Sequence, residues 1–387
     1  MARIDFVVPP MNRTRFTGGI RGILEYANGF VRMGHEVRVI PTGPSAKPDW
    51  IDVRFEIARA RRGAPIGEVI RRLAARDLAE VRRLAGRLLL SRLAWYGPYS
   101  LKRAYMIEAM RGGLDSADVT IATSYETALL VYLYGSGKKV YFAQHFEPYF
   151  CDEREHPEYA KWEALSSYML PGIKIIANSS WLRDMLLPFV PTGVDVCCNG
   201  IRTDEFYAVA GGTRRQDKFI VISYGGRKAK WKGFAECAEA MRMIRMAYPE
   251  TEWRVFGDAL LPERNPVAQY TALGFLSGDS LRRAYAEADV LMSGAWYESF
   301  PSYPLEAMAC GVAVVTTSPG VEEYARDGEN AIVVRPRDVR SLADSVIRLR
   351  EDEGLRRRLS LQAAEDAKGF SWEAAVHRLA PLLGLLP

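Results

Sequence analysis

The sequence predicts an α/β protein built as two doubly wound halves. Three observations carry that expectation. Short apolar runs alternate with helical stretches twice along the chain, a glycine-bearing strand-to-helix junction opens each half, and a polar, Gly-containing stretch at Thr203–Lys218 separates them. At 387 residues the chain has room for two or three domains of roughly 150 residues each. The expected division is 1–199, a linker at 200–218, 219–370, and a C-terminal helix at 371–387 reaching back toward the first half. Mainly parallel sheets covered on both faces, with a cleft between the halves, follow from the alternation.

The first half opens with a strand, Ile4–Val8, a loop holding Gly18-Gly19, and a helix from about Ile20 to Met33. Ile20, Ile23, Leu24, Ala27, Phe30 and Val31 follow helical spacing. Gly34-His35 turns the chain into strand Glu36–Ile40, a βαβ opening whose glycines let backbone approach a ligand at a helix start. The pair falls short of the full dinucleotide fingerprint. Residues 52–111 favour helix, and strands resume at Val119–Ala122, Val140–Ala143 and Lys174–Ala177. Asn178-Ser179-Ser180 then reads as a helix cap, before a short strand at Val194. In the second half, strands are expected at Phe219–Tyr224, Trp253–Phe256, Val290–Ser293, Val312–Thr316 and Ala331–Val334. Helices are expected at Phe234–Tyr248, Ser280–Glu287, Val339–Glu351 and Ser371–Leu386.

Composition bounds the class. With 48% hydrophobic and 26% charged residues the chain is ordinary for a globular protein. The amino terminus has too short an apolar run for a signal peptide, and no run of about 18 apolar residues exists to span a bilayer. Five scattered cysteines with no metal-ligand spacing fit reduced thiols in a cytoplasmic compartment. The net charge of +5 hides an asymmetry: between Arg54 and Arg111 stand 14 basic and five acidic side chains, so the rest of the chain is net negative.

Two junctions in the second half carry chemistry. Glu298 and Glu306 have seven residues between them, with Ser302 reading as the N-cap of the following helix, Pro304 as an early helical residue and Gly311 as the stop. That spacing puts Glu298 in a loop and Glu306 in the first helical turn. Carboxylates there suit ligand hydroxyls while helix-start amides suit a phosphate. The plain alternative is a dipole-complementing Glu306 beside a solvated Glu298. The stretch from Gly225 to Gly233 packs Arg227, Lys228, Lys230 and Lys232 between a strand and a helix, where cations offset a diphosphate. A solvated basic loop is the alternative; the Walker pattern is absent.

The ordered pieces together resemble the retaining, two-Rossmann-domain nucleotide-sugar glycosyltransferases of family 4, the GT-B fold. They are Asn199-Gly-Ile201 with Phe206, Arg227 through Lys232-Gly233-Phe234, Gly274-Phe-Leu276, Ala288-Asp-Val290, the Glu-x7-Glu motif running to Gly311, Thr317-Ser-Pro-Gly320 with Glu323, and Asp327-Gly-Glu-Asn330. The resemblance covers nearly the whole chain and is strongest from about Asn199 to Asp338. It implies that Arg227 and Lys232 hold the donor diphosphate, Glu306 the ribose, and Glu298 the transferred sugar. Ser299, Phe300 and Ser302 would line the sugar and phosphate, and Phe275 and Leu276 would bracket the base. The family often carries glycine where Ser299 and Pro301 stand, and Pro301 has no N–H to give. In the first half, Gly19 would approach the diphosphate or acceptor, with Gly18 on the acceptor side and Glu147 orienting either His145 or the acceptor. The resemblance also implies that His145 contacts the donor sugar; a structural histidine is the alternative. No cofactor or metal is implied, and the leaving phosphate takes the acceptor proton.

The implied partners are a nucleoside diphosphate sugar and a glycan or lipid-linked acceptor. The rivals are a nucleotide-sugar epimerase, a phosphorylase-like enzyme, a non-catalytic sugar-binding subunit, and a basic polyanion binder. No nucleic-acid module supports the last, and no lysine marks a pyridoxal phosphate site. In Ile66–Leu93, apolar residues at near-helical spacing alternate with Arg71, Arg72, Arg76, Arg82, Arg83 and Arg87. This reads either as scaffold with solvated arginines or as a basic face that meets anionic lipid at the inner membrane surface.

Overall fold

The computed structural model describes residues 1–387 apart from 15–16, 44, 59–105, 107–113, 115, 153, 155, 210–217, 226–228, 258–268 and 386–387. Most of the basic segment expected at 52–111, and the middle of the expected linker, therefore lie outside the described residues. The chain forms two compact units. The first comprises Met1–Ala177, Arg183–Cys197 and Val376–Pro387; the second comprises Asn178–Leu182 and Cys198–Ala375. The dividing line runs through the last helix, Trp372–Leu383.

In the first unit the described strands are β1 (Arg3–Val8), β2 (Glu36–Pro41), β3 (Glu56–Ile57), β4 (Val119–Ala122), β5 (Lys138–Ala143), β6 (Lys174–Ala177) and β7 (Val194–Val196). They pair in parallel in the order β3-β2-β1-β4-β5-β6-β7. Helices cover both faces, so β1 and β4 are apolar almost throughout. Arg3 at its edge is half-exposed, and Asp5 is the one buried charge in β1. Wholly buried, it stands in register with Arg38 of β2, whose guanidinium grips its carboxylate at 2.8 and 2.5 Å. A one-residue slip would break that fork and leave a buried charge, so the pair fixes register more than it adds stability.

The helix after β1, Gly18–Arg32, begins two residues before its expected start because the Thr17 hydroxyl caps it, accepting the Ile20 N–H at 3.4 Å. At the other end of the chain, the Lys138 and Lys174 ammonium groups both donate to the Leu382 carbonyl, at 3.0 and 3.2 Å. Cations at a helix C-terminus satisfy carbonyls that the helix leaves open.

The second unit contains β8 (Ile220–Tyr224), β9 (Glu252–Phe256), β10 (Thr271–Gly274), β11 (Val290–Met292), β12 (Ala313–Thr317) and β13 (Ile332–Val334). The order is β10-β9-β8-β11-β12-β13, all parallel. The strand order reverses between β8 and β11, and such a reversal leaves a crevice at the carboxyl ends. One core layer holds Leu281, Tyr285, Leu305 and Met308; the other holds Met241, Ile244, Val346 and Leu349. Asp289, just before β11, accepts the Ile220 N–H at 2.9 Å and fixes β11 beside β8. Strand β10 and the helix Glu353–Ala367 were not anticipated. The helix Gly278–Ala286 starts before Ser280 because Ser277 caps it and Ser280 returns the bond.

One backbone approach governs the carboxyl end of this sheet. Gly233, between the 3-10 turn Lys230–Lys232 and the helix Phe234–Ala247, has φ +70°, and a Cβ there would lie 1.8 Å from the Gly294 carbonyl oxygen. Gly328 has a similar φ of +73° with open space around it. Gly233→Ala is therefore expected to lose more stability than Gly328→Ala. The shared backbone strain costs about 1–3 kcal/mol, and the Gly294 overlap adds to it at Gly233 alone. Urea denaturation of both variants measures the difference; equal midpoints would remove the contact from the account.

Candidate functional site

The pocket at the carboxyl ends of β8 and β11 is built from loops that the strand reversal places side by side. It is lined by Tyr224 at the end of β8, Lys232, Ser293 and Gly294 after β11, and Glu298, Pro301, Tyr303 and Pro304 beyond. The Lys232 ammonium lies 2.8 Å from the Glu298 carboxylate, each side chain about one-fifth exposed. The same ammonium stands 5.8 Å from the centre of the Tyr224 ring. Two sequence motifs 66 positions apart thus meet as one ion pair.

The loop from Gly294 to Pro301 is held at nearly every step. Trp296 donates its N–H to the Trp231 carbonyl at 2.7 Å, and Thr317 donates its hydroxyl to the Ala295 carbonyl at 2.5 Å. Gly320 (φ +80°) lies under Glu298 so closely that a Cβ would stand 2.0 Å from the Glu298 carbonyl oxygen. The Tyr324 hydroxyl donates to the Pro301 carbonyl at 2.7 Å. Asn330 supports Tyr324 in turn: fully buried, it donates to the Tyr324 carbonyl at 2.9 Å and to Asp366 at 2.7 Å. A loop so tied has its backbone fixed in advance, leaving only side chains to adjust.

The helix beyond the loop is Ser302–Ala309, with Pro301 as N-cap and Cys310 as C-cap. Two expectations are corrected here. Ser302 is the first helical residue rather than the cap, because Pro301 already has the extended conformation (φ −67°, ψ 119°) of the residue before a helix. Glu306 is consequently the fifth helical residue, in the second turn. Gly311 follows the C-cap with φ +73°, the left-handed stop expected of it. The first turn offers the amides of Ser302 and Tyr303; Pro301 and Pro304 have none.

Glu306 is 6% exposed, and its charge is felt by Tyr285, Tyr324 and Cys310. Burial, and then Glu306, push the Tyr285 hydroxyl well above its usual range and the Cys310 thiol up to about 12. Burial pushes the pocket's Cys237 thiol up to about 12 as well. Both thiols stay protonated at neutral pH.

The other expected residues fall as follows. Arg227 lies outside the described residues. Ser299 is 1% exposed, and the Phe300 ring packs edge-on against Tyr324 at 5.4 Å. In the loop after β10, Phe275 is 58% exposed while Leu276 packs on the core. In the first unit, Gly18 and Gly19 open the helix Gly18–Arg32, and a Cβ at Gly19 would lie 3.3 Å from the Gln144 side chain at the end of β5. His145 follows Gln144 and is exposed, its ring 5.2 Å from Phe150 and edge-on to it. Glu147 starts the 3-10 turn Glu147–Phe150. Sequence reasoning missed Tyr224 and Tyr303, whose rings stack at 4.7 Å beside the ion pair. Tyr224 was placed at a strand end and Tyr303 inside the Glu-x7-Glu stretch, but their meeting depends on β8 lying next to β11.

Residues 210–366 match the family model described as Glycosyl transferases group 1. An uncharacterized glycosyltransferase of Methanocaldococcus jannaschii is 38% identical over 232 residues, 54% of this chain and 59% of that protein. The O-antigen biosynthesis protein RfbC of Myxococcus xanthus is 30% identical over 288 residues, 70% of this chain and 21% of that protein. The chain thus spans less than two thirds of the length of these curated relatives. Among solved structures, sucrose-phosphate synthase from Thermosynechococcus elongatus superposes with a TM-score of 0.70 at 17% identity, covering 99% of this chain and 98% of that one. HepE of Anabaena, solved with UDP-glucose, gives 0.67 at 15% identity, covering 99% and 100%. The chain shares the GT-B fold of these solved structures, two parallel α/β units, and residues 210–366 are similar to group 1 glycosyl transferases.

Proposed function

We propose that the chain is a retaining, metal-independent family-4 glycosyltransferase that moves a hexosyl group from a nucleoside diphosphate sugar to a glycan or lipid-linked acceptor in surface polysaccharide synthesis. The observation that carries this reading is the Lys232–Glu298 pair at the β8/β11 reversal, with Glu306 buried in the adjoining helix. Lys232, with Arg227, meets the diphosphate and offsets charge on the departing nucleotide. The amides of Ser302 and Tyr303 add the positive end of a helix to the same phosphate. Glu298 then turns to the sugar hydroxyls, exchanging the ammonium for its ligand partner.

Retention without an enzyme nucleophile has the acceptor attack on the face from which the phosphate departs, and that phosphate takes the acceptor proton. The protonated thiols of Cys237 and Cys310 fit this route. Catalysis then rests on positioning and preorganised charge. The likeness to RfbC supports a polysaccharide acceptor, and the fold shared with HepE supports UDP-glucose as a first donor probe.

Glu306→Ala is expected to weaken UDP binding about tenfold or more through lost ribose hydrogen bonds. Titration calorimetry checks this, and unchanged affinity in a folded variant would remove the ribose role. Lys232→Ala is expected to cut single-turnover transfer from the true donor by ~10²–10³ while the variant stays folded. A near wild-type rate would move the diphosphate elsewhere.

No described helix is long and apolar enough to cross a membrane. The reading instead assigns the basic segment 52–111 to reversible contact with anionic lipid, at about 1 kcal/mol per basic residue near the surface. Co-sedimentation with phosphatidylserine vesicles is expected at low salt and is expected to fade as salt rises. Equal indifference to anionic and neutral vesicles would make a soluble acceptor the better reading.

A further inference from the structure

The turn that presents His145 contains a carboxyl group that the proposed chemistry does not use. Oε1 of Glu147 accepts the Tyr141 hydroxyl at 2.7 Å and the Tyr125 N–H at 3.0 Å, the latter at the start of the helix Tyr125–Tyr134. The Tyr168 hydroxyl bridges the same turn, accepting the Glu147 N–H at 3.1 Å and donating to the His145 carbonyl at 3.4 Å. Tyr141 and Tyr168 are buried and stack at 5.7 Å, so both hydroxyls are fixed. We propose that Glu147 is a positioning residue for His145, its carboxyl clamping the turn after β5 to the neighbouring helix.

The clamp is built from a costly group. Burial pushes the Glu147 carboxyl up to about 7, against the pull of the Tyr141 and Tyr125 hydrogen bonds; Glu126 raises it further and Arg154 lowers it. Tyr168 and Cys151 also face it, and both are held protonated by burial. A carboxyl raised from its usual 4.5 contributes stability that is full below 4.5 and lost as pH rises through 7. Glutamine keeps an acceptor for both donors without that loss.

The test uses the full chain with ¹³C-labelled histidine, whose four histidines make the His145 resonance assignable through His145→Ala. Glu147→Ala and Tyr141→Phe, the second in case the first does not fold, are expected to shift the His145 resonance, and Glu147→Gln to leave it in place at pH 5. Glu147→Gln is also expected to melt higher than wild type at pH 8, and by less at pH 5. A His145 resonance unmoved in both Glu147→Ala and Tyr141→Phe, or a Glu147→Gln protein melting lower than wild type at pH 8, would overturn the inference. The inference takes the role of His145 from the glycosyl-transfer reading, which UDP-glucose hydrolysis tests separately. Glu147→Ala is expected to lower that rate about tenfold or more and Glu147→Gln to restore it. A wild type that neither binds nor hydrolyses nucleotide sugars would sink the transfer reading, while the resonance and melting data still decide the clamp.

Discussion

The close approach of the Gly233 and Gly294 backbones is the constraint on which the candidate site depends. A Cβ at Gly233 would stand 1.8 Å from the Gly294 oxygen, and one at Gly294 would stand 2.9 Å from the Gly233 oxygen. Only two chains without side chains pass at that distance. The consequence is chemical: Lys232 immediately precedes one glycine and Glu298 lies four residues beyond the other, so their charged groups meet at 2.8 Å. The Trp231 carbonyl to Trp296 N–H bond then runs across the same junction.

That approach is available because β8 and β11 are neighbours although two strands separate them in sequence. Asp289 secures the pairing from the opposite end of β11 by holding the Ile220 N–H. Much of what family resemblance marks in this unit is therefore support rather than contact. Asp289 sets the strand, Gly320 lets the Glu298 backbone settle, and Asn330 holds Tyr324, which holds Pro301. The same division between presented and supporting groups appears in the first unit, where buried Tyr141 and Tyr168 serve the turn that carries exposed His145.

Much of the fold was legible because parallel, doubly covered strands read as apolar runs and their helices as periodic ones. Strand β8 and the helices Phe234–Ala247 and Val339–Glu351 were found within about two residues. Strand β10 escaped because its residues Thr271-Ala-Leu-Gly274 are half exposed and only four long. The helix Glu353–Ala367 escaped because its buried apolar stripe, Leu355, Leu359 and Ala363, is narrow and interrupted by charged residues. Glu298 and Lys232 were legible as motifs, but their pairing was not, since local sequence does not record which strands become neighbours. The Tyr224–Tyr303 stack was hidden for the same reason. The capping error at Ser302 came from weighing its hydroxyl above the backbone angles that Pro301 imposes.

The most direct test of the account is a crystal structure of this chain with UDP-glucose bound. The account predicts a diphosphate within hydrogen-bonding distance of the Lys232 ammonium and the Ser302 and Tyr303 amides, ribose hydroxyls on Glu306, and Glu298 turned from Lys232 to the sugar. A nucleotide bound away from the carboxyl ends of β8 and β11, with the Lys232–Glu298 pair unbroken, would contradict it.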